Sequence, residues 1–338
     1  MELPTLAYPA RTGQSTLSVN SCCVSLDSSS YSMTPLPLGS EETMTDWRTK
    51  LDKKKVLIVD GAWGTELINR GLKPREVPES WNIERPEEVH SVALSYINAG
   101  SDIILTNTFG GSPLKLAKKG LGEKTEEINR LGAEISKKAA GGWSLVFGSI
   151  GPTGELVKPL GTMTESELVS GFAEQAKALA AGGADGIVIE TMMDLAEAKA
   201  ALRAVKENTS LPVAVTMTFN KAGRNYATLM GVRPDQAAAE LEKVGADIVG
   251  ANCGAGIDLM IEVVRLMRPG TSLPIWCKPN AGLPELVDGE TVYRESPEKM
   301  ACQFRTLVRA GASIVGGCCG STPAHIRALV IERDKLTH

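Results

Sequence analysis

Aromatic residues make up only 4% of this 338-residue chain, and it holds three histidines, His90, His325 and His338. So few imidazoles argue against a histidine-built metal site and against catalysis centred on histidine. No apolar run approaches the ~20 residues of a membrane span. The formal net charge is −4, with no clustered basic face of the kind a nucleic-acid surface needs. Neither GxGxxG nor a P-loop pattern occurs, which removes the common Gly-rich phosphate-binding loops. The seven cysteines are odd in number, and none lies between Cys23 and Cys253. That is no disulfide framework, and it fits a reducing cytoplasm.

What is present is a soluble globular composition, 43% hydrophobic and 22% charged, with 34 glycines suited to many tight turns. Residues 1–43 stand apart. They are rich in Ser, Thr and Pro and show no helical or strand period, so they read as a disordered leader or extension. They lack both the Arg-rich amphipathic pattern of a transit peptide and an apolar signal core. Met44 is a sensible natural start, and Cys22-Cys23 receives no role. The folded unit is expected to be a single domain over residues 44–338.

From Val56 the chain alternates. Strand-like apolar runs cover Val56–Asp60, Asp102–Thr108, Leu145–Gly151, Gly186–Thr191, Val213–Phe219, Ile248–Cys253, Ile275–Asn280 and Ile314–Cys319. Helical patterns of period 3.6 cover Glu87–Asn98, Glu123–Ala140, Glu165–Ala181, Leu195–Glu207, Pro234–Val244, Asp258–Met267, Pro297–Arg309 and Pro323–Arg333. Eight strands alternating with eight helices is the count of an α/β (β/α)₈ TIM barrel. The strand entries Gly100-Ser101-Asp102, Gly183-Ala184-Asp185, Gly245-Ala246-Asp247 and Gly311-Ala312-Ser313 are near-copies, each placing glycine where a helix ends. A doubly wound open sheet has no preference for eight units.

Catalytic groups of such a barrel gather at the C-terminal strand ends. Three cysteines arrive there: Cys253 after the sixth strand, and Cys318 and Cys319 after the eighth. Successive strand residues point to opposite faces, so adjacent cysteines face one point only where the strand breaks into a turn, which the flanking glycines permit. Three thiolates with one open position suit a catalytic zinc ion. Space-filling cysteines and a strained redox disulfide remain alternatives for Cys318-Cys319 alone. Cys277 in mid-strand and Cys302 inside a helix are expected to serve core packing.

The runs DGAWGT, TNTF, GPTGEL, IET, NCG, PNAG and GGCCG, in this order over about residues 50–335, resemble the homocysteine S-methyltransferase family. That family includes the homocysteine-binding module of cobalamin-dependent methionine synthase and betaine–homocysteine methyltransferase. The resemblance implies a (β/α)₈ barrel with zinc on Cys253, Cys318 and Cys319. It implies Asp60 and Glu190 as binders of the homocysteine amino group. The amides of Gly61, Ala62, Trp63, Gly64 and Thr65 would suit the substrate carboxylate, since a Gly-rich turn entering a helix presents N–H groups. Asn107, Asn252 and Asn280 would orient loops or the surroundings of the metal.

The implied reaction is attack of a zinc-held homocysteine thiolate on an activated methyl group, giving methionine. The closest motif likeness, to the methionine synthase module, favours methylcobalamin carried by a separate corrinoid protein. Glycine betaine and S-methylmethionine are the other donors in the family. Trp81 stands where betaine enzymes place a cage tryptophan, a candidate donor contact by cation–π attraction. Thr191 follows the strand-four glutamate, however, where the animal-type betaine enzymes carry tyrosine. A non-catalytic zinc or thiol sensor, and a phosphate-binding barrel enzyme, are the rival classes. Neither accounts for the whole set of strand ends.

Overall fold

The computed structural model describes residues 46–336 apart from Leu156, Pro159, Leu160, Arg224, Ala255, Asp288 and Gly289. The leader expected over residues 1–43 lies outside them. Eight parallel strands form the barrel: β1 Leu57–Ile58, β2 Ile103–Leu105, β3 Leu145–Ile150, β4 Gly186–Met192, β5 Val213–Met217, β6 Ile248–Asn252, β7 Ile275–Lys278 and β8 Ala312–Val315. They neighbour one another in sequence order, with β1 also beside β8. A parallel bridge between Val59 and Ile103, and a 2.7 Å bond from the Asp102 N–H to the Ile58 carbonyl, close β1 onto β2. The fold is a (β/α)₈ barrel. The expected runs of β1 and β2 are longer than their ladders because side chains replace rungs at the rim. Asp60 accepts the Leu105 N–H at 2.7 Å, and Thr106 accepts the Ser149 N–H at 3.0 Å.

The outer helices are α1 Pro86–Asn98, α2 Thr125–Ala140, α3 Glu165–Ala181, α4 Leu195–Asn208, α5 Pro234–Lys243, α6 Ile257–Met267, α7 Pro297–Ala310 and α8 Pro323–Asp334. Each falls within about two residues of its sequence pattern. The strands divide their residues by period 2. One set, including Leu57, Ile103, Phe147, Val188, Ile248, Trp276 and Ile314, fills the barrel interior. The alternate set, including Ile58, Ile104, Val146, Ile187 and Val249, packs under the helices. Phe147 and Trp276 meet inside the barrel with ring centroids 5.6 Å apart. The interior is therefore solid, and ligand space is left only toward the ends. A further helix, Trp47–Lys54, brings Trp47 into this interior cluster. Short helices at Trp63–Asn69, Trp81–Glu84 and Pro113–Ala117, and hairpins at Asn220–Ala227 and Glu285–Val292, add to the alternating plan.

The repeated strand entries have a structural reason. Asp102, Asp185 and Asp247 stand before β2, β4 and β6. Each accepts the N–H of a residue in the preceding strand, Ile58, Val146 and Val213, at 2.8, 2.8 and 3.0 Å. Each also pairs with a lysine from the helix before that strand: Lys54, Lys137 and Lys206. The fourth copy carries Ser313 instead. Asp185→Ala removes an acceptor for a strand N–H and a lysine partner together. It is expected to lower the unfolding free energy by about 1–3 kcal/mol. An unchanged denaturant midpoint would contradict this reading of the repeat.

Candidate functional site

Cys253, Cys318 and Cys319 converge at the C-terminal end of the barrel. Their sulfurs all lie within 4.8 Å of one another, with Cys318 and Cys319 Sγ 4.0 Å apart. Thiolates arranged tetrahedrally about zinc at about 2.3 Å stand roughly 3.8 Å from each other, so the three fit such an ion. Cys253 reaches the cluster by a left-handed backbone, φ 62°, ahead of Gly254. The Cys318 N–H donates to the Pro279 carbonyl at 2.7 Å, and Cys319 accepts from the Ala281 N–H at 2.9 Å, so the PNAG turn clamps the pair. The glycines before them serve close approach rather than unusual angles. A Cβ on Gly317 would stand 2.2 Å from Ser321 Oγ, and one on Gly316 would stand 2.7 Å from the Asp60 carbonyl. Gly320, at φ +77°, alone in this run takes the left-handed backbone.

The sulfurs titrate together. Hydrogen bonds from Cys318 and Cys319 hold the Cys253 thiol well below its ordinary value. The contact with Cys253 raises Cys318, together with Cys319, and it raises Cys319 against the opposing pull of Cys318.

A cavity of about 250 Å³ opens from the cluster. Its walls include the turn Gly61–Thr65, Asn107, Phe109, Ser149, Glu190, Thr191 and Lys278. Glu190 is buried. One of its oxygens accepts from Ser149 Oγ at 2.6 Å; the other takes no hydrogen bond among the described residues. Burial raises its carboxyl above the usual range, against the pull of Lys278. Asp60 is fully buried and has its oxygens occupied. Oδ1 accepts from Lys278 Nζ at 2.7 Å, and Oδ2 accepts from Trp63 Nε1 and the Leu105 N–H, each at 2.7 Å. Lys278 is 3% exposed. Burial works against its ammonium, but the carboxylates of Asp60 and Glu190 prevail and hold it protonated.

The profile of the homocysteine S-methyltransferase family matches residues 57–332, most of the chain. The chain belongs to the homocysteine S-methyltransferase family. Methionine synthase of Mycobacterium leprae is 32% identical over 294 residues, 81% of this chain, and methionine synthase of Mycobacterium tuberculosis is similar to the same degree. The chain spans 24% of the length of those relatives. The metallated form of the homocysteine methyltransferase MmuM from Escherichia coli superposes with a TM-score of 0.71 at 25% identity, covering 83% of this chain and 98% of that one.

Within this family member, the structure brings most of the expected residues together, though not all. Asn252 sits under the cluster. Its Oδ1 accepts the Thr191 N–H and Thr216 Oγ1, each at 2.7 Å, and its Nδ2 donates to Thr191 Oγ1 at 2.7 Å and lies 3.8 Å from Cys318 Sγ. It thereby holds Thr191 in a left-handed backbone, φ 64°. Asn280 is buried and supports the Cys253 thiolate. Asn107 ties the pocket wall to the Pro78 carbonyl and to Asn82 Oδ1.

Trp81 is not in the pocket. It is 2% exposed, packs in the outer core, and carries the Arg85 guanidinium 3.8 Å above its ring. Its neighbours Pro78 and Glu79 line the pocket instead. Cys277 is fully buried as expected, whereas Cys302 is exposed on α7 and does not serve the core. Sequence reasoning missed Lys278, Ser149 and Glu79. The signal for Lys278 was present: a single charge ending the otherwise apolar run Ile275–Lys278.

Proposed function

We propose that this barrel is a zinc-dependent homocysteine S-methyltransferase that forms methionine. The observation that supports this most is the pairing of two unlike ends in one cavity. A three-thiol cluster stands at one end, and a buried carboxylate with an open oxygen, Glu190, shares the cavity. Homocysteine has a thiol and an ammonium to match. Zinc seated on Cys253, Cys318 and Cys319 would supply a site where a substrate thiol is held as its thiolate at neutral pH.

The chain's own residues do the rest. Glu190 takes the ammonium, steadied by Ser149. The turn Gly61–Thr65 lines the cavity beside Asp60, with the Ala62 N–H donated to the Ser321 carbonyl, and the helix Trp63–Asn69 that begins there has no side-chain cap. Asn252 and the Pro279–Ala281 turn hold the sulfurs in place. The substrate sulfur gains the methyl group as the bond between that methyl and its donor breaks. The five described cysteines form no disulfide, which suits a reducing cytoplasm.

A corrinoid protein carrying methylcobalamin is the donor favoured by the methionine synthase resemblance. A cavity of this size does not enclose a corrinoid, so the donor would meet the thiolate from the rim. Exposed apolar side chains on the rim loops support a protein visitor: Phe109 after β2, Met193 after β4, Leu229 after β5, and Leu283 and Leu286 after β7. A small cationic donor is the second reading, because the Glu79 carboxylate and the Phe109 ring line the same cavity.

The test is methionine formation by zinc-loaded protein with methylcobalamin, glycine betaine and S-methylmethionine offered in parallel. Turnover with methylcobalamin, free or delivered by a corrinoid protein, supports the first reading, and turnover with an onium donor alone supports the second. Tight zinc with no methionine from any donor would overturn the enzymatic reading in favour of a sensor.

A further inference from the structure

Two carboxylates at the rim, Asp60 and Glu190, together suit one substrate ammonium. The folded protein does not leave them so. Lys278 Nζ, from the end of β7, lies 2.7 Å from Asp60 Oδ1, and the other Asp60 oxygen is held by Trp63 and the Leu105 N–H. Asp60 therefore spends its charge on a protein cation. Glu190 is left with one oxygen open to the cavity. Lys278 also lines that cavity. Its ammonium has three donors and makes one hydrogen bond among the described residues, to Asp60. The cavity thus presents a fixed positive group at the end of β7 and a fixed negative group near the end of β4, beside the thiol cluster. A buried ammonium with open donors is costly unless a further acceptor completes it.

We propose that Lys278 is a specificity-determining residue that receives the α-carboxylate of the substrate, with Asp60 acting as the strut that holds Lys278 in place. This rests on the reading of the site as one for an amino-acid thiol. The pair Lys278 and Glu190 then matches a zwitterion, carboxylate to one and ammonium to the other, and it selects amino-acid thiols over simple amines or acids. Asp60 becomes a positioning residue that the ligand does not touch. The charge-assisted contact is of the stronger kind, and its geometry is set before the ligand arrives.

The test compares three thiols on the zinc-loaded protein by calorimetry: L-homocysteine, 3-aminopropane-1-thiol, which lacks the carboxylate, and 4-mercaptobutanoate, which lacks the ammonium. Methionine formation is followed separately. Lys278→Met is expected to weaken homocysteine and 4-mercaptobutanoate by about 30-fold, the size of a lost hydrogen bond between charged groups. It should leave 3-aminopropane-1-thiol within about threefold. Because Lys278→Met strands the Asp60 charge, the neutral pair Lys278→Met with Asp60→Asn is measured beside it and should show the same selective loss. Equal weakening of all three thiols in both variants, or loss of zinc, would overturn the proposal and make Lys278 a structural or metal-supporting residue. Carboxylate-selective binding without methionine from any donor would sustain Lys278 and defeat the methyltransferase reading. Methionine formation with no carboxylate selectivity would do the reverse.

Discussion

Replacing Cys318 by alanine is expected to leave a folded barrel that no longer holds zinc and no longer forms methionine. Cys318 is half-buried beside Cys253 and Cys319, and its sulfur is approached by Asn252 Nδ2. Removing it leaves two thiols, one fewer than the three protein ligands of a catalytic zinc site. The methyl in place of the sulfur leaves the backbone bonds of Cys318 to Pro279 and Ser321 available, so the turn should persist. Metal-held activation of a nucleophile is worth several kcal/mol, so the rate should fall by about a thousandfold or more. Zinc content by elemental analysis, circular dichroism and turnover are measured on one preparation. Full activity with two cysteines would defeat the metal mechanism, and loss of the native fold would assign the cluster a structural role.

The second large effect belongs to Glu190. Glu190→Gln keeps the shape of the side chain and its contact with Ser149 but removes the charge that faces an ammonium. The KM for homocysteine is expected to rise by about 10- to 100-fold, the range for a lost hydrogen bond to a charged group. The maximal rate should change far less, because Glu190 holds the amino end and not the sulfur. Acid should imitate the substitution. Desolvation raises the Glu190 carboxyl above its ordinary value, with Lys278 and Ser149 opposing. The charged form that binds the ammonium is therefore lost as pH falls through that raised value. KM should climb on the acid side at a higher pH than an ordinary glutamate would give, and the Gln variant should be flat there. An acid limb that survives in Glu190→Gln would assign the titration to another group.

Much of the architecture was legible in the linear chain, for identifiable reasons. Strand and helix periods differ, so alternation of apolar runs with 3.6-residue patterns is local information, and eight repeats of it leave few architectures. The three rim cysteines were legible for the same reason: a strand end is a local feature, and in this fold strand ends meet. The Asp of three strand entries was visible as a repeat, although its task, accepting a neighbouring strand's N–H and pairing with a lysine, needed the register. The glycines around Cys318 and Cys319 were visible as well. Their reason was not, because the close approach of Ser321 and the Asp60 carbonyl is a contact across the turn and across strands.

What tertiary structure alone decided was pairing and facing. Lys278 and Asp60 are 218 residues apart, and no local pattern says that their side chains meet and spend each other's charge. Trp81 lies two residues from the pocket-lining Glu79, yet its ring turns into the helix layer. Cys302 sits on a helix whose buried stripe is carried by Met300, Ala301, Phe304 and Leu307, so it faces outward. A side chain's direction depends on rotation about its element's axis, which is set by packing against partners distant in sequence. The sequence by itself determined the eightfold alternation and the three sulfurs. The folded packing determined which charges remain available to a ligand, because availability is a property of pairs.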